Sequence, residues 1–191
     1  MTEQLSLAGL GGVAKPTDRL FFGLIADSAS AGQIEEMARS LRVRHGLTGH
    51  LIPASRLHVT LCHIGDYEGL PKHFVEQAKE IGEKIKLPPF DVLFDRAMSF
   101  QHSKAYVLRA ADGNAALHEL RLELFKALKT YGPGCLDGPT FTPHLTLLYD
   151  KQIVAEHPVE PVRLKVREFF LVHSLLGKST YVFLARWPLA G

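Results

Sequence analysis

His58 and Thr60 stand in the run Leu57-His58-Val59-Thr60-Leu61, and the arrangement returns in Pro143-His144-Leu145-Thr146-Leu147. Two copies of His-x-Thr-Leu in 191 residues are improbable by chance. Either the tetrapeptide is a duplicated structural unit, or both histidines serve one site. Imidazole, with an ordinary pKa of about 6.5, gives or takes a proton near neutral pH. Two imidazoles facing each other across a cleft divide that work. The neutral one removes a proton from a nucleophile, and the protonated one donates a proton to a leaving oxygen. This suits in-line displacement at phosphorus, where attacking and leaving oxygens lie on opposite sides. A hydroxyl beside each imidazole, from Thr60 and Thr146, donates to a non-bridging phosphate oxygen as charge develops. Positioned acid or base catalysis contributes roughly 10²–10⁴ per group. The expectation is therefore chemistry without a metal or other cofactor.

The elements that must carry these residues follow from the same pattern. Strand side chains alternate faces, so His58 and Thr60 share one face while Leu57, Val59 and Leu61 share the other. The second copy repeats this, with His144 and Thr146 in front and Leu145 and Leu147 behind. By the same parity His63 falls on the face opposite His58, and no His-x-His or Cys-x-x-Cys spacing supports a metal site. The apolar run from Arg19 to Ala26 predicts a first strand. Ser30 with Gln33 reads as a capping box before a helix over about 31–44. A loop from His45 to Ser55 leads into the first histidine strand, which Ile64-Gly65-Asp66 ends. Phe74, Ala78, Ile81 and Ile85 predict a second helix after Pro71, and Leu117, Leu120, Leu124 and Leu128 a third after the Asp112-Gly113-Asn114 turn. Strands are expected at 90–95, 105–109, 162–166, 169–175 and 180–187. Each histidine strand thus follows a strand and a helix, which points to a duplicated, two-lobed α+β fold.

Composition narrows the classes. The net charge of +2 means that a nucleic-acid ligand must rely on a local patch. No run of about eighteen apolar residues occurs, so no membrane span is expected. Two cysteines, Cys62 and Cys135, suit a reducing compartment, and the start lacks a signal peptide's features, so a cytoplasmic, monomeric protein is expected. Residues 1–17 read as a mobile arm, and 18–191 as one two-lobed domain.

The paired tetrapeptides, the Arg19-Leu20-Phe21-Phe22 strand and the Ile64-Gly65 step resemble the two-histidine phosphoesterase superfamily. The similarity is nearest to its bacterial 2′-5′ RNA ligase group, also called RNA 2′,3′-cyclic phosphodiesterases. Phe141-Thr142-Pro143 and Phe170-Leu171-Val172-His173-Ser174 with Tyr181 extend it over most of 19–188. The resemblance implies antiparallel sheets lining a central cleft, with helices packed outside. It implies opening of 2′,3′-cyclic phosphates on RNA 3′ ends or small nucleotides to 2′-phosphomonoesters, and reversible 2′-5′ joining in some members. It implies His58 and His144 as the catalytic pair, Thr60 and Thr146 as phosphate clamps, and Phe22 and Tyr181 as aromatics near the cleft that stack on a base. One histidine then acts as acid on the departing 3′-oxygen and the other as base on water; His58 is assigned the first role and His144 the second, a division that the sequence leaves open. The chain departs from relatives in two places. Leu148-Tyr149-Asp150 stands where many carry an arginine, and Arg56 stands where asparagine is common. Arg56, Lys104 or Lys178 would have to supply the missing cation.

Overall fold

A computed structural model describes residues 15–110, 114–138 and 140–190. Residues 1–14 of the arm expected at 1–17, and Asp112-Gly113 of the expected Asp112-Gly113-Asn114 turn, lie outside the described residues. The chain runs β1 (Asp18–Ile25), α1 (Ser28–Arg44), β2 (His58–Tyr67), α2 (Lys72–Lys84), β3 (Phe90–Ser99), β4 (Ala105–Ala110) and α3 (Ala115–Tyr131). It continues through β5 (His144–Tyr149), β6 (His157–Val166), β7 (Glu168–Leu175) and β8 (Thr180–Pro188), with a 3₁₀ turn at Ala54–Arg56.

Two four-stranded antiparallel sheets result, ordered β2-β1-β7-β8 and β5-β4-β3-β6. Their layout is the expected duplication. In each sheet a histidine strand forms one edge, paired with the strand that precedes it across a helix. The two histidine strands approach one another where the sheets meet. The helices cross between lobes. α1 leaves the first sheet and packs on β6 of the second, while α3 leaves the second and packs on β2 of the first and on α2. One continuous core runs through both lobes.

Local chemistry explains the element ends. α1 is capped by Asp27, whose carboxylate accepts the N–H groups of Ala29 and Ser30. The expected Ser30 cap is thus displaced three residues upstream. Ser30 Oγ donates to Asp27 and approaches the Arg163 carbonyl of β6, so the cap also ties α1 to the far lobe. The first histidine strand runs on through Gly65 to Tyr67, because Leu20, Arg19 and Asp18 keep its far end paired. β6 begins at His157, earlier than expected, along the length of β3.

Phe22 belongs to the core. Its ring is fully buried against Phe169 and Trp187, on the side of the first sheet that α2 covers. A Cβ on Gly82 of α2 would lie 2.4 Å from the Trp187 ring, so only glycine lets helix and sheet approach this closely. Phe22→Ala should lower stability by about 3–5 kcal/mol, as read from the chemical-denaturation midpoint.

Candidate active site

A bulge in each histidine strand sets the geometry. β1 pairs Phe22 with Cys62 and Gly23 with Thr60, passing over Leu61. β4 pairs Tyr106 with Leu148 and Val107 with Thr146, passing over Leu147. The leucine of each His-x-Thr-Leu motif is therefore the extra residue of a β-bulge, and two successive residues (Leu61 and Cys62, Leu147 and Leu148) are fully buried. Parity inverts beyond each bulge. His63 and Tyr149 consequently return to the face that holds the histidines and threonines. This corrects the placement of His63 by simple alternation.

That face lines a cavity of about 340 Å³ between the lobes. His58, Thr60, His144 and Thr146 all border it, so both halves of the duplicated pattern meet at one place. Tyr181 borders it too, as expected, and Phe22 does not. The neighbouring Phe21 takes the place expected of Phe22. Its ring lies 5.1 Å from that of His58 and 5.7 Å from that of Tyr181. In an aromatic pair on a strand, parity decides which ring faces the cleft, and β1's register shifts beside Phe21 and Phe22 hide that parity from the sequence.

The two imidazoles are held alike. His58 Nδ1 donates to the Arg56 carbonyl at 2.8 Å, and His144 Nδ1 donates to the Thr142 carbonyl at 2.8 Å. Each bond spans two residues back along the chain and fixes the tautomer, leaving Nε2 as the nitrogen available to the cavity. Aromatic edges pack the rings: Tyr181 is 5.4 Å from His58, and Phe100 is 4.8 Å from His144. The Tyr181 hydroxyl sits 3.4 Å from His58 Nδ1.

Burial pushes the His58 pKa down from 6.5 to about 4, and the charges of Arg56 and Arg19 and the nearby His144 push in the same direction. His144 is also lowered, chiefly by burial, against the opposing pull of its carbonyl bond and the Asp137 carboxylate. Both imidazoles are therefore neutral in the free protein at neutral pH.

Cations and a carboxylate complete the wall. Arg56 stacks over the Tyr181 ring at 4.8 Å, and its buried Nε has no hydrogen-bond partner among the described residues. Of the three cations considered as replacements for the family arginine, Arg56 borders the cavity and Lys104 and Lys178 do not. Asp150, in the Leu148-Tyr149-Asp150 stretch, closes a turn by accepting the N–H groups of Thr48, Gly49 and Gln152. Arg19 also borders the cavity, paired through two 2.7 Å bonds with Asp66, which accepts from His63 as well. Asp137, Ser174 and Leu176 complete the lining. Sequence reasoning alone does not place Arg19, Phe21, His63, Asp137 or Tyr149 in the lining. The consecutive apolar pairs Leu61-Cys62 and Leu147-Leu148 are the legible signal for two of them. Among the described residues no cluster of three or more His, Cys, Asp or Glu could hold a metal ion.

A duplicated α+β fold that presents two tautomer-locked imidazoles and two threonines to one interlobe cavity defines a two-histidine phosphoesterase. Residues 26–177 match the family model of the 2′-5′ RNA ligase superfamily, and the chain belongs to that family. Solved structures agree in fold. E. coli LigT complexed with 3′-AMP is 24% identical with a TM-score of 0.71, covering 93% of this chain and 100% of that one. LigT complexed with NADP+ is 25% identical with a TM-score of 0.72 over the same shares. The Thermus thermophilus protein TT0787 is 21% identical with a TM-score of 0.62, covering 90% of this chain and 97% of that one. No curated protein matches the chain in sequence. No helix among the described residues is long and apolar enough to cross a membrane.

The depressed His58 pKa has a consequence for stability. Between pH 6.5 and about 4 the unfolded chain takes a proton that the native state refuses, so stability falls as pH drops through this window. His58→Asn should flatten that slope in denaturation midpoints measured from pH 7 to pH 4. In the wild type, the His58 ring signals should titrate near pH 4.

Proposed function

We propose that the protein opens 2′,3′-cyclic phosphates, on RNA 3′ ends or on small nucleotides, to 2′-phosphomonoesters without a metal. The observation that carries this reading is the pair of imidazoles bordering one cavity, each held through Nδ1 by the same i−2 carbonyl bond. A module that only bound phosphate would need cations more than two nitrogens poised to exchange protons.

His144 is the base. Its Nε2 takes a proton from water as the water oxygen bonds to phosphorus, and the Asp137 carboxylate favours its protonation. His58 is the acid. Burial chiefly, and the charges of Arg56 and Arg19 beside it, oppose its protonation in the free protein, and a phosphate anion bound beside the ring favours the charged imidazolium. The substrate thus arms its own acid. The His58 Nε2 proton passes to the 3′-oxygen as the P–O3′ bond breaks, and the 2′-phosphomonoester remains. Thr60 and Thr146 donate to the non-bridging oxygens, where charge builds up. Arg56 supplies the cation that relatives take from the position after the second motif. Tyr181 gives the terminal nucleoside an aromatic surface. A 5′-hydroxyl in place of water gives reversible 2′-5′ joining by the same proton transfers.

With 2′,3′-cyclic AMP in excess EDTA, wild-type protein should yield adenosine 2′-phosphate. His58→Ala and His144→Ala should each lose roughly 10²–10⁴ in kcat. Arg56→Ala should act mainly on KM. Formation of the 3′-isomer, or full activity in either histidine variant, would contradict the reading. A substrate with sulfur in place of the 3′-oxygen needs no proton on its leaving group. It should restore most of the rate to His58→Ala and little to His144→Ala, which fixes the division of roles.

A further inference from the structure

The face of the first sheet that carries Phe21 and Tyr181 continues beyond the cavity. β1 sets Arg19, Phe21 and Gly23 opposite Ser174, Val172 and Phe170 of β7, and β7 sets Ser174 and Val172 opposite Tyr181 and Phe183 of β8. Residues directly opposite on antiparallel strands share a face, so Phe170 and Phe183 stand on the cavity side with Phe21 and Tyr181. Phe21 and Val172, buried but outside the continuous core, form the floor of this face. Gly23 is opposite both Thr60 and Phe170 and puts no side chain between them. A bulge at Leu184 turns the end of β8, so that Ala185 and Trp187 pack on the core and Arg186 comes opposite Phe170. The strip therefore holds two rings and a cation. Phe183 is 49% exposed, and its ring lies 5.3 Å from that of Phe170. Arg186 is exposed and makes no hydrogen bond or ion pair among the described residues. Neither ring nor the guanidinium takes part in the proposed chemistry.

We propose that Phe170, Phe183 and Arg186 bind the nucleotide that precedes the cyclic end, so that the preferred substrate is a single-stranded RNA 3′ end of at least two nucleotides. The inference rests on the phosphodiesterase reading, with Tyr181 at the terminal nucleoside. Phe183 follows Tyr181 on the same face of β8, about 7 Å further along the strand. A base leaving the Tyr181 end of the cavity in this direction meets the Phe183 ring next. Every base has a π face, so stacking there selects for chain length rather than for sequence. Arg186 supplies the charge for a backbone phosphate. Aromatic rings interleaved with a free cation are what a single strand of nucleic acid uses, and they give this chain of net charge +2 the local patch that such a ligand requires. Phe170 also borders a groove of about 420 Å³ with Ile25 and Lys165, and Ile25 is opposite His58 in the ladder. Asp27, committed to the α1 cap, and Glu168 border the far side of that groove. The strip is thus continuous with the catalytic face. A mononucleotide leaves its rings in water, and a dinucleotide covers them.

Full-length protein should be assayed with 2′,3′-cyclic AMP and with the dinucleotide ApA ending in a 2′,3′-cyclic phosphate, and the ratio of the two kcat/KM values taken. The wild-type ratio should favour the dinucleotide by about tenfold or more. Phe183→Ala should bring it to within about threefold of unity, while Phe183→Tyr, which keeps a ring, should preserve it. Arg186→Gln should lower the ratio and weaken its dependence on salt. The ratio is the readout because a poorly folded variant loses both rates together. Calorimetric binding of adenosine 2′-phosphate and of ApA with a terminal 2′-phosphate should show the same preference and the same loss in Phe183→Ala. Equal wild-type kcat/KM values for the two substrates would overturn the proposal. So would a ratio that Phe183→Ala leaves in place, above all if that change instead dissociates a dimer in sedimentation, since β8 would then be a contact between copies. A dinucleotide preference in binding that Phe183→Ala removes, in a protein that turns over neither substrate, would uphold the site and count against the phosphodiesterase reading.

Discussion

The hydrogen bond from each imidazole Nδ1 to the carbonyl two residues earlier is the constraint on which the site depends. It sets which nitrogen carries the proton in the neutral ring, orients the ring, and leaves Nε2 as the atom for the proposed proton transfers. The bond is possible because each histidine opens a strand just after a segment whose carbonyl is unclaimed by a ladder, the Ala54–Arg56 turn in one lobe and Phe141-Thr142-Pro143 in the other. The bulge at the motif leucine then decides what surrounds the pair. It buries two successive apolar residues, anchoring the strand, and turns the following side chain back toward the cavity. The four residues of the motif therefore supply a proton carrier, a hydroxyl, an anchor and a change of parity.

The lobes hold this arrangement because they are not separable. Each lobe's helix packs on the other lobe's sheet, and the Ser30 hydroxyl at the start of α1 reaches the backbone of β6. The separation of two imidazoles on different sheets is thereby fixed by core packing, which resists displacement far better than surface contacts do. Burial has an electrostatic consequence as well. It lowers the pKa of both imidazoles, so that both are neutral in the free protein at neutral pH.

Much of this is legible in the sequence, for identifiable reasons. The duplicated α+β order and both histidine strands follow from strict alternation and from caps and turns, which are local signals. The cleft and its paired histidines and threonines follow from one repeated tetrapeptide, together with the family resemblance. What escapes depends on register. Phe21 and Phe22 are adjacent aromatics, and only the pairing of β1 with β2 tells which faces the cavity. Alternation puts His63 on the wrong face because a bulge inserts one residue that period-two counting cannot see. Arg19 and Asp137 reach the cavity from a distant strand and a loop, where no local pattern marks them. Arg56 stands out as a candidate cation through its departure from the family pattern, and it borders the cavity.

The central claim is that His58 and His144 act on opposite sides of one phosphorus atom. The direct test is the stereochemistry of a single turnover. One diastereomer of a 2′,3′-cyclic phosphorothioate would be opened in isotopically labelled water, and the configuration at phosphorus determined in the product. In-line attack from the His144 side with departure on the His58 side predicts inversion. Retention would mean two displacements or a covalent enzyme intermediate, and would contradict the account.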